Sequence, residues 1–189
     1  MRISDDVYKI FGDSNVYVVL KPEVIVIDTS DVLEASNVKK EIEKIVPLSE
    51  VKKVLLTHLH FDHAGNVELF PNAEVYASEV GIQNYKDSPE DFFFHGLSAK
   101  SDEMLSNAKI LPDKMNGLKV LKVPGHTRGS VAFLDEKRKI LFSGDTVFSK
   151  EIVGRTDLPN SISSEMDGSV EKLRKLISEG YELMPGHDY

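Results

Sequence analysis

The sequence predicts an α/β protein with largely antiparallel or mixed sheets, and three observations carry that expectation. Short β-branched runs dominate the first third of the chain and return from Lys119 onward. Stretches with helical apolar spacing are mixed among them, so strands and helices share one core. Turn residues punctuate the runs without a regular strand-helix-strand series.

The elements follow in order. Val16–Leu20 and Val24–Asp28 read as two strands joined by Lys21-Pro22-Glu23, a separation short enough for an antiparallel pair. Thr29-Ser30-Asp31 offers N-cap residues for a helix running to about Val46, with Val38, Ile42, Ile45 and Val46 at helical spacing and Pro47 as the stop. Val51–Thr57 reads as a strand that runs into a histidine cluster. A short helix is expected from Gly65 to Phe70, and a strand from Glu74 to Ala77. Ser78–Lys114 carries the weakest pattern, with a helical stretch from Asp102 to Ala108 and a Phe92-Phe93-Phe94 run that reads as core rather than as the apolar wall of a partial lid. Strand patterns resume at Lys119–Val123, Ser130–Leu134 and Lys139–Phe142, the last two joined by a turn at Asp135–Arg138. A helix over Val170–Ile177 ends at Gly180, and Tyr181–Met184 is a final short strand.

Length and composition set the outer bounds. At 189 residues the chain is expected to form a single domain, 1–189, with a substantial core. Twenty-three Lys and Arg against thirty-one Asp and Glu give a formal net charge of −8, which argues against general binding to nucleic acid or anionic membranes. With no cysteine, disulfides and thiolate metal ligands are ruled out, in keeping with a reducing compartment. The polar start of the chain lacks the pattern of a signal peptide, and no apolar run approaches a bilayer span. The expectation is a cytoplasmic protein.

Five of the six histidines fall in three short motifs. The first is Thr57-His58-Leu59-His60-Phe61-Asp62-His63. If the preceding strand continues, His58, His60 and Asp62 share a side, and His63 joins them only if the chain bends, for which Gly65-Asn66 is the expected place. One loop would then serve two ions, His58 and His60 on the first, Asp62 and His63 on the second. A chance match to this spacing is on the order of one in 2,000 for a chain of this composition. Val123-Pro124-Gly125-His126 and Met184-Pro185-Gly186-His187 each place a histidine after a Pro-Gly turn. Phe142-Ser143-Gly144-Asp145-Thr146 presents a carboxylate at a strand tip. Imidazole and carboxylate suit zinc, Fe(II) or manganese, and three ligands per ion leave a position for water. Two divalent ions with two aspartates carry a net charge of about +2, suited to an anionic or strongly polarised carbonyl substrate.

This set, in this order, resembles the metallo-β-lactamase superfamily over nearly the whole chain. The resemblance implies a four-layer αββα sandwich with metals at one edge. It assigns His58, His60 and His126 to metal one, Asp62, His63 and His187 to metal two, and Asp145 to the bridge between them. Asp28 matches an aspartate in the family's I-D-T/S motif and is expected to support the site rather than ligate. Gly154-Arg155-Thr156-Asp157 resembles a G-R-T-D-F motif of glyoxalase II-like hydrolases and of persulfide dioxygenases. For Arg155 and Asp157 a turn held by their charge pair is expected.

By that resemblance the leading expectation is a glyoxalase II-like hydrolase of a small thioester or ester. It would use a metal-bound hydroxide at a dinuclear centre, zinc first with iron or manganese as alternatives, and Asp62 would take part in proton transfer. The chain ends two residues after His187, without the C-terminal helical domain that grips glutathione in glyoxalase II, which leaves the thiol half open. Two alternatives stand beside it: a mononuclear-iron persulfide dioxygenase using His58, His126 and Asp145, and a non-catalytic metal-binding protein. Antibiotic hydrolysis is not expected. His95, outside the motifs, reads as a surface histidine. Lys150 and Arg155 are candidate contacts for an anionic small-molecule substrate, and oligomeric state is not legible.

Overall fold

The computed structural model describes residues 1–93 and 96–189; Phe94 and His95, and with them the expectation for His95, lie outside the described residues. The first sheet contains β1 (Val7–Ile10), β2 (Val16–Val19), β3 (Ile25–Ile27), β4 (Lys53–Leu55), β5 (Glu74–Ala77) and β6 (Lys109–Ile110), in that spatial order. Its first three strands are antiparallel and the next three pairings are parallel. The second sheet contains β7 (Lys114–Met115), β8 (Leu118–Lys122), β9 (Val131–Asp135), β10 (Ile140–Gly144) and β11 (Glu182–Pro185). It is antiparallel except that β11 runs parallel to β10.

Side-chain alternation explains why the strands read as continuous apolar runs: both faces are covered. Tyr17, Val19, Ile25, Ile27 and Leu55 meet Val131, Phe133, Ile140 and Phe142 of the second sheet in a shared apolar layer. The opposite face of the first sheet, with Val18, Val26 and Val54, is covered by three helices, α1 (Ala35–Glu43), which buries Val38 and Ile42, and, beyond the short helical turn α2 (Phe61–Ala64), α3 (Glu79–Asp87) and α4 (Ala99–Ser106). The outer face of the second sheet, with Ala132, Leu134 and Leu141, takes α5 (Ser163–Ser178) through Met166, Val170 and Leu173. The layers therefore stack α, β, β, α, as the resemblance implies.

Several boundaries differ from expectation for physical reasons. Asp31 caps a 3-10 turn at Val32–Glu34, accepting from Leu33 N at 2.7 Å, and α1 starts only after it and ends at Glu43. The helix expected over Gly65–Phe70 is a 3-10 turn at Val67–Leu69. α5 starts seven residues before the expected Val170, because Met166 and Ser169 extend its buried face. β6 and β7 are two-residue strands with mostly exposed side chains, so they carry no apolar signature. The Asp135 turn is as expected, with Oδ1 accepting from Lys137 N and Arg138 N at 3.1 and 2.9 Å. Phe92 is buried in the core, as expected of that run. No helix among the described residues is long and apolar enough to cross a membrane.

Candidate metal centre

The site forms where the ends of both sheets meet. β4 stops at Leu55, and Leu56 and Leu59 then anchor the following segment in the core. The bend comes earlier than Gly65-Asn66. His60 is extended (φ −63°, ψ 151°) and N-caps the helical turn α2, in which His63 N and Ala64 N both donate to His60 O at 2.9 Å. A helical turn therefore brings Asp62 and His63 to the same centre, which a continuing strand could not do. His126 sits in a turn closed by Thr127 N on Ser130 Oγ (3.1 Å) and by Ser161 Oγ on His126 O (2.8 Å). Asp145 follows β10, and His187 follows β11. The parallel pairing of those strands sets the two side by side, with Gly186 N donating to Gly144 O at 2.9 Å.

All seven residues expected as ligands converge. His58, His60 and His126 form one group, and Asp62, His63, Asp145 and His187 form another. Within each, the donor atoms lie within 4.8 Å of one another, as a bound ion would require. Asp145 belongs to the second group but faces both: its Oδ1 is 3.1 Å from His63 Nε2, and its Oδ2 is 3.5 Å from His126 Nε2. Asp62 Oδ2 is 3.0 Å from His187 Nε2.

The outer edges of the imidazoles decide which nitrogen faces inward. His63 Nδ1 is 2.8 Å from Asp28 Oδ2, His126 Nδ1 is 2.8 Å from Arg155 O, and His187 Nδ1 is 2.8 Å from Asp13 O. His58 Nδ1 is 3.1 Å from Thr57 Oγ1, whose own hydroxyl donates to Asp28 Oδ2 at 2.7 Å. Each of these partners is an acceptor, so each of the four rings carries a proton on Nδ1 and directs Nε2 to the centre. His60 is reversed, presenting Nδ1 at 2.9 Å from His126 Nε2.

Two atoms test whether this set fits a cation. His58 Nε2 is a buried polar atom with no hydrogen-bond partner, and buried Asp145 Oδ1 makes only the 3.1 Å approach to His63 Nε2. Such atoms are costly unless something satisfies them, and both point at the centre of a donor set made only of nitrogen and carboxylate oxygen. Electrostatics agrees. Burial pushes the His63 imidazole down, but Asp145, Asp62 and Asp28 together hold it well above its ordinary value. Burial would raise Asp145, yet His63 and His187 hold it well below the usual carboxylate range. His60 is pushed down to about 3 by burial and by His126. The carboxylate-rich half calls for positive charge, and the imidazole-rich half presents neutral lone pairs. The residues fit divalent cations.

The supporting contacts include several that sequence reasoning did not assign. Asp28, as expected, supports rather than ligates: beyond His63 it accepts from Thr57 N at 2.8 Å. The carbonyls of Asp13 and Arg155 carry no side-chain signature at all. Gly186 reads in the sequence only as part of a Pro-Gly turn, but a Cβ there would collide with Asp145 Oδ1 and lie 2.7 Å from His63 Cε1, so the donors need that glycine. The Arg155 side chain pairs with Asp157, Nε and Nη2 each donating at 2.9 Å, as expected of that turn. Phe92 backs His60, with ring centroids 5.9 Å apart, and Tyr189 stacks on His187 at 5.7 Å. Lys150 is exposed and does not line the cleft over the centre, a cavity of about 830 Å³ that Asp62, Asp145 and Arg155 do line.

Comparison with known proteins agrees with this geometry. The family model for the metallo-beta-lactamase superfamily matches residues 10–187. A probable metallo-hydrolase of Streptococcus pyogenes is 30% identical over 202 residues, covering 99% of this chain and 84% of the relative. The hydroxyacylglutathione hydrolase GloC of Haemophilus influenzae is 29% identical over 168 residues, covering 82% of this chain and 76% of that protein. Among solved structures, TTHA1623 in a di-iron-bound form superposes with a TM-score of 0.69 at 28% identity, over 93% of this chain and 88% of that one.

Proposed function

This chain belongs to the metallo-β-lactamase superfamily, and from that premise we propose that it is a metal-dependent hydrolase of a small thioester or ester. The observation that carries the reading is the convergence of seven donor side chains in two adjoining groups with Asp145 facing both. His58, His60 and His126 would hold one divalent ion. Asp62, His63 and His187 would hold the second, and Asp145 would bridge. Zinc is the first choice of metal, with iron or manganese also suited to these donors. The likeness to a hydroxyacylglutathione hydrolase supports thioester cleavage.

Bound there, the ions would supply Lewis acidity and bring the pKa of water towards about 7. The chain's own residues do the rest. Asp28, Thr57, Asp13 and Arg155 lock the imidazole orientations, so no reorganisation is needed when charge develops. Asp62, which lines the cleft and contacts His187, would take up a proton from water during hydrolysis. Val153, Leu158 and Phe148 contribute apolar wall to the cleft.

The test is elemental analysis of the purified protein, together with hydrolysis of S-lactoylglutathione and of uncharged thioesters before and after chelation. About two equivalents of metal, loss of turnover on chelation and recovery on reloading are expected. Full activity in the chelated protein would refute the proposal. One equivalent of iron, with oxygen uptake on a persulfide and no hydrolysis, would replace it.

A further inference from the structure

The cleft over the metal centre continues into a second groove. The two share Phe11, Gly12, Asp13 and Phe61, and the second extends past them to Leu33 and Glu34. Large exposed hydrophobic side chains gather along this path. Among the described residues, eight large hydrophobic side chains are exposed, and five of them, Phe11, Leu33, Ile152, Val153 and Tyr189, border the two connected cavities. Leu33 is 78% exposed and Phe11 53%. Single exposed leucines need no explanation, but five such side chains gathered around the mouth of one centre point to an apolar ligand.

The charges along this path are one-sided. Apart from the expected ligands, the lining contributes the carboxylates of Asp13, Asp31, Glu34, Asp91 and Asp188, against Arg155 as the one lysine or arginine. Two of its three guanidinium nitrogens, Nε and Nη2, donate to Asp157. Lys9, which reaches Asp188 at 2.6 Å, offsets one carboxylate without lining the cavity. Beyond the metals themselves, the described walls offer an anionic handle only this Asp157-paired guanidinium, and several carboxylates would repel one.

We propose that the site takes a thioester or ester that is uncharged around its scissile bond and carries an apolar chain, with that chain laid along Phe11 and Phe61 towards Leu33. This rests on the hydrolase reading above and narrows its substrate class: the selecting feature is apolar length, and an anionic thiol half is disfavoured. Leu33 and Phe11 are the specificity-determining residues.

The experiment separates binding from cleavage. Calorimetry on the metal-loaded protein would use non-hydrolysable thioethers of N-acetylcysteamine with methyl, hexyl and decyl chains, and S-decyl glutathione as the anionic counterpart. Affinity is expected to rise at least about tenfold from methyl to decyl as methylenes leave water. S-decyl glutathione is expected to bind at least about tenfold more weakly than its uncharged analogue. Leu33→Asp, on an exposed turn where folding is not at stake, should remove most of the decyl gain. A flat chain-length series, or glutathione binding as tightly as the uncharged ligand, overturns the proposal. Cleavage of the matching thioesters is read separately. Chain-length-dependent binding without cleavage sustains this inference and sinks the hydrolase reading; cleavage with flat binding does the reverse.

Discussion

Asp28 Oδ2 lies 2.8 Å from His63 Nδ1 and also accepts the Thr57 hydroxyl, so one buried carboxylate orients a histidine from each of the two groups. Asp28 has a positive φ of 56°, a conformation that asparagine tolerates almost as well. Asp28→Asn should therefore fold, but its amide removes the charge that holds the His63 tautomer. Metal affinity at the second group should fall by roughly 10- to 100-fold, as read by competition with a chelator. Unchanged affinity would mean that Asp28 serves only the backbone.

Gly186→Ala should disturb the centre more than the fold. The added methyl would meet Asp145 Oδ1 and the His63 ring, while the β10–β11 ladder stays hydrogen-bonded. Reduced metal content with near-native circular dichroism is the expected result.

Arg155→Ala separates a side chain from its backbone. The atom that orients His126 is the Arg155 carbonyl, and the guanidinium reaches only the exposed Asp157. Metal content and melting temperature should stay at wild-type levels in titrations of the two proteins side by side. Loss of metal would show that the turn, and not only the carbonyl, depends on the charge pair.

The metal-free protein should be most stable near pH 6.5. His63 and His187 have folded pKa values raised above the ordinary 6.5, that of His187 to about 9. In both, burial is outweighed by neighbouring carboxylates, Asp145 above all. Their contribution is complete below about 6.5 and is lost as pH rises through the folded values. His58 and His60 are held below 6.5 chiefly by burial, so the unfolded chain binds more protons than they do as pH falls, and stability drops on the acid side as well. Metal replaces the protons on His63 and His187, so the loaded protein should lose the alkaline decline. Melting curves across about pH 5 to 9, with and without chelator, check both limbs; an alkaline decline unaffected by metal would count against these residues as ligands.

Much of the site was legible because its chemistry is local. His58, His60, Asp62 and His63 fall within six residues, and no ordinary packing role needs that sequence. The geometry was misjudged there, because periodicity beyond Leu55 does not announce that the strand stops and a helical turn takes over. The layers were legible where both faces of a strand are apolar, as in β2, β3 and β9. They were not at β6 and β7, whose exposed side chains leave only backbone pairing. The carbonyls of Asp13 and Arg155 could not have been singled out, since every residue has one. The space that Gly186 leaves for Asp145 depends on a contact across the chain that no local pattern encodes.

That same dependence on distant partners bears on how the protein folds. His63 and His187 lie 124 positions apart, and Asn15 and Tyr17 reach Pro185 O from near the other end of the chain. Loops of that length close slowly, so the centre is expected to assemble after its two sheets have formed and docked. Cation capture would then come as the last slow step in refolding, following the recovery of the native far-ultraviolet signal rather than driving it.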